Sequence, residues 1–208
     1  MGVVHKGREV VVVGLDPGIT TGISMVKGRI GEKYSSGTWD AVVEQASIER
    51  LSGEGGEFVE KRYRETDRWW EIMGRAGIGL AMIVYEALVE EVGEDVVINA
   101  ARGSAGTGDP LIGVCMEDFI LRPDGGKKGI GGRDVLSPVA LGSSFTSMWI
   151  QMAGNCPLLI SSPSAKSLMD DARLKRWFPA ELFKGKPHGT DAFRHALLGV
   201  RQIRGMKG

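Results

Sequence analysis

Hydrophobic positions along this chain fall into blocks with two different periods. Residues 10–13 are four consecutive valines, the pattern of a strand buried on both faces. They lead into Gly14-Leu15-Asp16-Pro17-Gly18. Proline fixes φ and glycine accepts positive φ, so Pro17-Gly18 predicts a turn. The apolar run at residues 22–26 then returns as the second arm of a hairpin, with Asp16 at the end of the first. Residues 28–39 read as a third strand after a Lys27-Gly28 turn. Residues 40–66 are charged, interrupted by Gly53, Gly55 and Gly56, and without a clean period; they read as an irregular insertion.

From Asp67 the spacing becomes helical. Trp70, Met73, Gly77, Leu80, Val84, Ala87 and Glu91 recur at helical intervals, with Ile83 and Leu88 widening the stripe. Asp67 is the expected N-cap and Gly93 the expected stop. Trp70 is in phase with the stripe, which makes the Trp69-Trp70 pair core rather than a stacking platform. Residues 99–110 form a glycine-rich loop that lacks the Gly-Lys-Ser/Thr of a Walker A motif. Residues 111–121 are an apolar strand carrying Glu117-Asp118. Neighbours in a strand face opposite ways, so at most one of these acids shares a sheet face with Asp16. Residues 124–134 are a glycine loop with Lys127, Lys128 and Arg133. A helix over 133–153, a short strand over 157–162 and a helix from Pro163 through Trp177 follow. After a Lys/Gly loop at 184–187, His188 begins a last helix whose apolar side is Ala192, Phe193, Ala196, Leu197 and Val200.

Strands alternating with helices predict an α/β protein. At 208 residues and 42% hydrophobic, the chain suits a single domain with insertions near 40–66 and 99–110. No apolar run approaches the roughly 20 residues of a membrane span, and the N-terminus has no secretory h-region. A cytoplasmic protein with no membrane contact is therefore expected. Cys115 and Cys156 lie in apolar segments and fit buried free thiols. The net charge is zero, yet residues 1–110 hold 12 Lys and Arg against 18 Asp and Glu, and residues 111–208 hold 14 against 8. A basic C-terminal half suits a polyanionic partner.

Chemistry enters through three separated acids. Asp16 either caps its turn or holds a charge for a cation, a lysine or backbone N–H groups. Glu117 lies in a later strand. Asp191 falls in the first turn of the last helix, where a dipole-favoured cap is one reading. His188, three residues earlier, shares its helix face.

Taken together these residues resemble a known family. Gly-Leu-Asp16-Pro-Gly with Thr21-Gly22 is similar to the first strand and turn of RuvC-type Holliday-junction resolvases, members of the RNase H/integrase-like nuclease superfamily. Glu117 in Val-Cys-Met-Glu-Asp-Phe resembles the family's strand-four glutamate. His188-x-x-Asp191-Ala192, running on into Arg194-His195-Ala196, resembles its C-terminal metal-binding helix. Pro163-Ser-Ala-Lys166 with Lys175 resembles the segment whose lysines contact the DNA backbone. The likeness spans about residues 10–200 and is nearest to compact bacteriophage-encoded members. The turn after Asp16 is one residue shorter than in many bacterial members, and the segments 40–66 and 99–110 match nothing in the family.

The resemblance implies an RNase H-like fold: a central mixed five-stranded sheet with an antiparallel first hairpin, flanked by helices. It implies a structure-selective endodeoxyribonuclease that cleaves Holliday junctions and other branched DNA in recombination, repair or phage DNA processing. Asp16, Glu117, His188 and Asp191 would be catalytic and would hold two Mg²⁺ or Mn²⁺ ions about 4 Å apart. Asp16 would bridge them, Glu117 and Asp191 would flank, and His188 would be a ligand or proton shuttle. Lys127, Lys128, Arg133, Lys166 and Lys175 would bind phosphates. A homodimer would match the near two-fold symmetry of a four-way junction. Alternatives are another RNase H-like nuclease (flap endonuclease, exonuclease or RNA–DNA hybrid nuclease), an actin-like ATPase, for which the chain is short, or a non-catalytic DNA-binding protein.

Overall fold

A computed structural model describes residues 5–53, 68–118, 133–161 and 165–206. In chain order the regular elements are β1 (Glu9–Asp16), β2 (Thr20–Arg29), β3 (Asp40–Ser47), α1 (Ile48–Ser52), α2 (Trp69–Val92), α3 (Glu94–Arg102), β4 (Leu111–Glu117), α4 (Arg133–Ala153), β5 (Leu158–Ser161), α5 (Ala165–Leu168), α6 (Asp171–Trp177) and α7 (Pro187–Gly205). The strands form one open sheet in the order β3-β2-β1-β4-β5. β1–β2 and β2–β3 are antiparallel, whereas β1–β4 and β4–β5 are parallel. The protein is therefore α/β, with a five-stranded mixed sheet that starts from an antiparallel hairpin and carries helices on both faces.

β1 is the central strand, and its four valines are all buried. They divide by parity. Val11, Val13 and Leu15 join an apolar cluster with α2 and α4, built on Trp69, Met73, Leu80, Val84, Leu141, Phe145 and Trp149. Val10 and Val12 join a second cluster with α7, through Phe193, Ala196, Leu197 and Val200. β4 and β5 divide the same way: Val114, Met116 and Leu158 face α2 and α4, while Cys115 and Leu159 face α7. Both cysteines are buried free thiols.

Several expectations need correction. The third strand is not 28–39: β2 runs on to Arg29, and β3 is Asp40–Ser47. The first part of the supposed irregular insertion is thus an edge strand followed by α1, while residues 54–67 lie outside the described residues. The edge position explains the misreading, because four of the strand's eight residues, Asp40, Val42, Glu44 and Ser47, face solvent and leave little hydrophobic signal. The expected N-cap Asp67 is also outside the described residues; α2 starts after Arg68 and ends at Gly93 as expected. Its phase at the start is off by one residue: Trp69 is 1% exposed and Trp70 is 64% exposed. α2 is long and apolar enough to cross a membrane by length and composition, so the statement that no stretch approaches such a span does not hold for it. Its buried side is core, packed against α4 and the sheet. Part of the expected loop 99–110 is helical, since α3 continues to Arg102 and stops at Gly103 with φ +69°. The helix expected from Pro163 to Trp177 is two short ones, α5 and α6. The Asp170 carboxylate caps α6, accepting from the Arg173 N–H at 2.8 Å.

Candidate metal centre

Parity on the strands decides which side chains can meet. Asp16 is two residues beyond Gly14, whose Cα faces α7, so it points at α7. Glu117 is two residues beyond Cys115 and does the same. Registers align them: Leu15 pairs with Met116, Asp16 with Gly22, and Glu117 with Ser161. One step past the Leu15–Met116 pair puts Asp16 beside Glu117. A transverse row Gly22–Asp16–Glu117–Ser161 thus crosses the carboxyl ends of β1 and β4 beneath α7.

α7 lies directly on this row because two glycines let it. A Cβ at Gly14 would stand 1.9 Å from the Ala192 carbonyl oxygen, and one at Gly22 would stand 1.9 Å from that of His188. No other residue permits such backbone approach. The start of α7 is then pinned from both sides. The Ser24 hydroxyl donates to the Gly189 carbonyl at 2.7 Å. The Lys186 ammonium donates to the Val43 carbonyl at 2.5 Å and lies 3.2 Å from Glu44 Oε1. Pro187, at the first helical position, lacks only an N–H that would have gone unpaired. Because the helix begins at Pro187, Asp191 sits beyond its first turn and is not the first-turn dipole cap that the sequence suggests.

Over the row, α7 presents His188, Asp191 and His195 along one stripe. His188 Nδ1 lies 3.1 Å from Asp16 Oδ2, and 48% of the His188 side chain is exposed. Asp191 lies near enough to Asp16 to act on it electrostatically. Its carboxylate is held by Arg194, which also pairs with Asp171 and donates from Nε to the Met169 carbonyl at 2.9 Å. Arg194 thereby fastens α7 to α6. At the far end of the stripe, His195 is completely buried. Its Nδ1 is 2.5 Å from Ser161 Oγ, and its Nε2 is 3.6 Å from Glu117 Oε2.

Asp16 and Glu117 are 7% and 8% exposed. Burial, the Glu117 carboxyl to which it hydrogen-bonds and the Asp191 charge push Asp16 from 3.8 up to about 6, and only the His188 hydrogen bond pulls it down. Two carboxyl groups forced together with little water repel unless one holds a proton or a cation sits between them. One ligand atom each from Asp16, Glu117 and His195 lies within 4.8 Å of the others. The donor set fits a divalent cation, and the buried His195 Nε2 has no hydrogen-bond partner. Glu117 also lines an open cleft of about 410 Å³ along α4, with Asp118, Pro138 and Thr146.

Of the residues singled out from sequence, Asp16, Glu117, His188 and Asp191 come together. Asp118 is exposed on the other side of its strand end, with its N–H donating to the Ser161 carbonyl at 2.8 Å. Lys175 is exposed and shares a cleft of about 470 Å³ with Lys184 and Thr190, next to Asp191. Lys127 and Lys128 lie outside the described residues, as do the side chains of Arg133 and Lys166. His195 stands in the last-helix motif, where sequence alone assigns it no role. Its spacing of seven from His188 and four from Asp191, which is one helical stripe, was the available signal. No protein-family model matches the chain, and no curated protein sequence matches it either.

Proposed function

We propose that the protein is a metal-dependent endonuclease of the RuvC-type, RNase H-like kind, acting on branched DNA such as four-way junctions. The observation that carries this reading is the convergence, on one sheet face, of two buried carboxyls from β1 and β4 with the His188–Asp191 pair of α7. The five-stranded mixed sheet with its antiparallel first hairpin is compatible with that fold. Asp16 and Glu117 would hold Mg²⁺ or Mn²⁺, with Asp191 and His188 completing the set for a pair of ions. Bound cations would supply Lewis acidity at the scissile phosphate and a more acidic attacking water.

The chain's own residues do the rest. The strand register holds the two carboxyls side by side at fixed spacing. Arg194 keeps the Asp191 carboxylate from swinging away. His188, half in solvent and bonded to Asp16 Oδ2, can pass a proton between the site and bulk water. Lys175 and Lys184, beside Thr190 in a cleft whose lining also holds Asp171 and Glu181, would meet the phosphates of a DNA backbone entering the site. Recognition by phosphate contacts suits reading of DNA shape rather than base sequence. An isologous homodimer would set two sites on opposing strands of a junction. Exposed Trp70, Ile78 and Met82 on α2 offer apolar surface for it.

The test is cleavage of a labelled four-way junction with and without Mg²⁺, beside flap, duplex and RNA–DNA hybrid substrates. Wild type cuts the junction only with the metal, and Asp16→Asn binds the junction without cutting it. Cleavage by Asp16→Asn at the wild-type rate would remove the assignment. Preference for the flap or the hybrid would move the protein to another RNase H-like activity.

A further inference from the structure

The deepest part of the site is a histidine that the reading above leaves unused. His195 is fully buried, and its two ring nitrogens have different surroundings. Nδ1 is 2.5 Å from Ser161 Oγ, and the Ser161 hydroxyl donates to the Met116 carbonyl at 3.4 Å. Both contacts are hydrogen bonds at once only in the tautomer whose Nδ1–H donates to Ser161 Oγ, and that tautomer leaves the lone pair on Nε2. That Nε2 has neither solvent nor a hydrogen-bond partner. The nearest carboxylate oxygen, Glu117 Oε2, is 3.6 Å away, beyond hydrogen-bond reach.

An imidazole lone pair buried without a partner costs about 1–3 kcal/mol. Ring packing alone gives no return for that cost, since an apolar side chain would fill the space without it. The lone pair points into the group formed with Asp16 and Glu117, all within 4.8 Å of one another. Ligands about 2.0–2.2 Å from one ion stand about 3–4 Å apart, so the cluster needs little closure to share a cation. The Nδ1–H to hydroxyl bond is the usual way a protein fixes the tautomer and aim of a ligating histidine.

We propose that His195 Nε2 is a direct ligand of the divalent cation held by Asp16 and Glu117, so that one metal position is a mixed oxygen–nitrogen site. The inference rests on the metal-site reading above. Its consequence is metal choice. Imidazole favours Mn²⁺ and later transition ions over Mg²⁺, whereas an all-oxygen set does not. Ser161 becomes the residue that aims the ligand, and Ser161→Ala should weaken Mn²⁺ binding by about 10–100-fold with a smaller effect on Mg²⁺.

The test uses Mn²⁺ itself as the probe. The chain has three histidines, and His5 precedes β1 at the opposite end of the strand from Asp16. Pulsed electron paramagnetic resonance detects a ¹⁴N ligand on bound Mn²⁺, and calorimetry counts the ions. In the full-length His188→Ala protein, Mn²⁺ binds with nitrogen coupling intact. In His188→Ala/His195→Gln the ion still binds, more weakly, and the coupling is gone. Mn²⁺ bound to His188→Ala without nitrogen coupling overturns the proposal and leaves the carboxylate metal site standing, as does coupling that survives in the double variant. Failure of the wild type to bind Mn²⁺ overturns both. The single variant keeps His195 in place, so the decision stands even if the double variant does not fold.

Discussion

The two faces of the sheet are built from the same strands and do opposite things. The face under α2 and α4 is mainly apolar: valines, leucines, methionines and the stacked Phe145–Trp149 pair, with ring centroids 5.8 Å apart, interrupted by the buried hydroxyls of Thr21 and Ser137 and by the Lys27–Glu91 pair at its rim. The face under α7 begins as apolar at Val10 and Val12 and ends in Asp16, Glu117, Ser161 and His195. One face spends its burial on cohesion. The other gives up cohesion at one end to keep charged and polar groups out of water. The lesson is that parity, not composition, separates scaffold from site: a shift of one residue in β1 would exchange Leu15 for Asp16.

The largest expected effect is on the dry face. Phe145→Ala should destabilise the fold by about 3–5 kcal/mol, read by urea denaturation. Mn²⁺ affinity of the folded fraction should stay as in wild type, and a loss of metal binding in proportion to stability would show that the faces are not independent.

On the other face the sign reverses. Asp16 has a folded pKa of about 6 against 3.8, so between those values the native state holds more protons than the unfolded one, and metal-free stability falls as pH rises. Well below 3.8 both states are protonated and the penalty is absent; well above 6 it is complete, at about 3 kcal/mol. Metal-free Asp16→Asn should therefore be more stable than wild type at pH 7.5 by up to that amount, with the gain fading by pH 4. Thermal melts with a chelator at the two pH values check this, and equal melting of the two proteins at pH 7.5 would contradict the strain.

Gly14→Ala joins the two properties. Its Cβ meets the α7 backbone, so α7 must lift, at about 1–3 kcal/mol, and Mn²⁺ binding should weaken together with stability. The smallest effect belongs to the surface. Lys175→Ala should leave stability unchanged and reduce the salt dependence of junction binding by about one phosphate contact, measured by titration at several salt concentrations.

Much of this division was legible in the residues. Four valines announced a central strand, the Pro17-Gly18 turn announced the hairpin, and Glu117 against Asp118 was a parity argument that the structure resolves in favour of Glu117. The apolar side of α7 also reads directly from Ala192 to Val200. Legibility failed where burial is one-sided or weak. β3 is an edge strand with half its residues in water. α3 buries only Val97. Trp69 and Trp70 are adjacent, and the bulk of either fits a helical stripe until the helix start is known. His195 escaped because the apolar side of α7 and its polar stripe meet there, so a buried ring looked like core.

The contact between Asp16 and His188 joins residues 172 positions apart. Such a pair closes a long loop, and the entropy of that closure must be met before the contact gives a return. During refolding, β1 and β2 can pair early across a short turn, while any share of α7 in holding a cation would wait for that helix to dock. The cation would then act as a clock for the last step of folding, reporting completion rather than helping to start it.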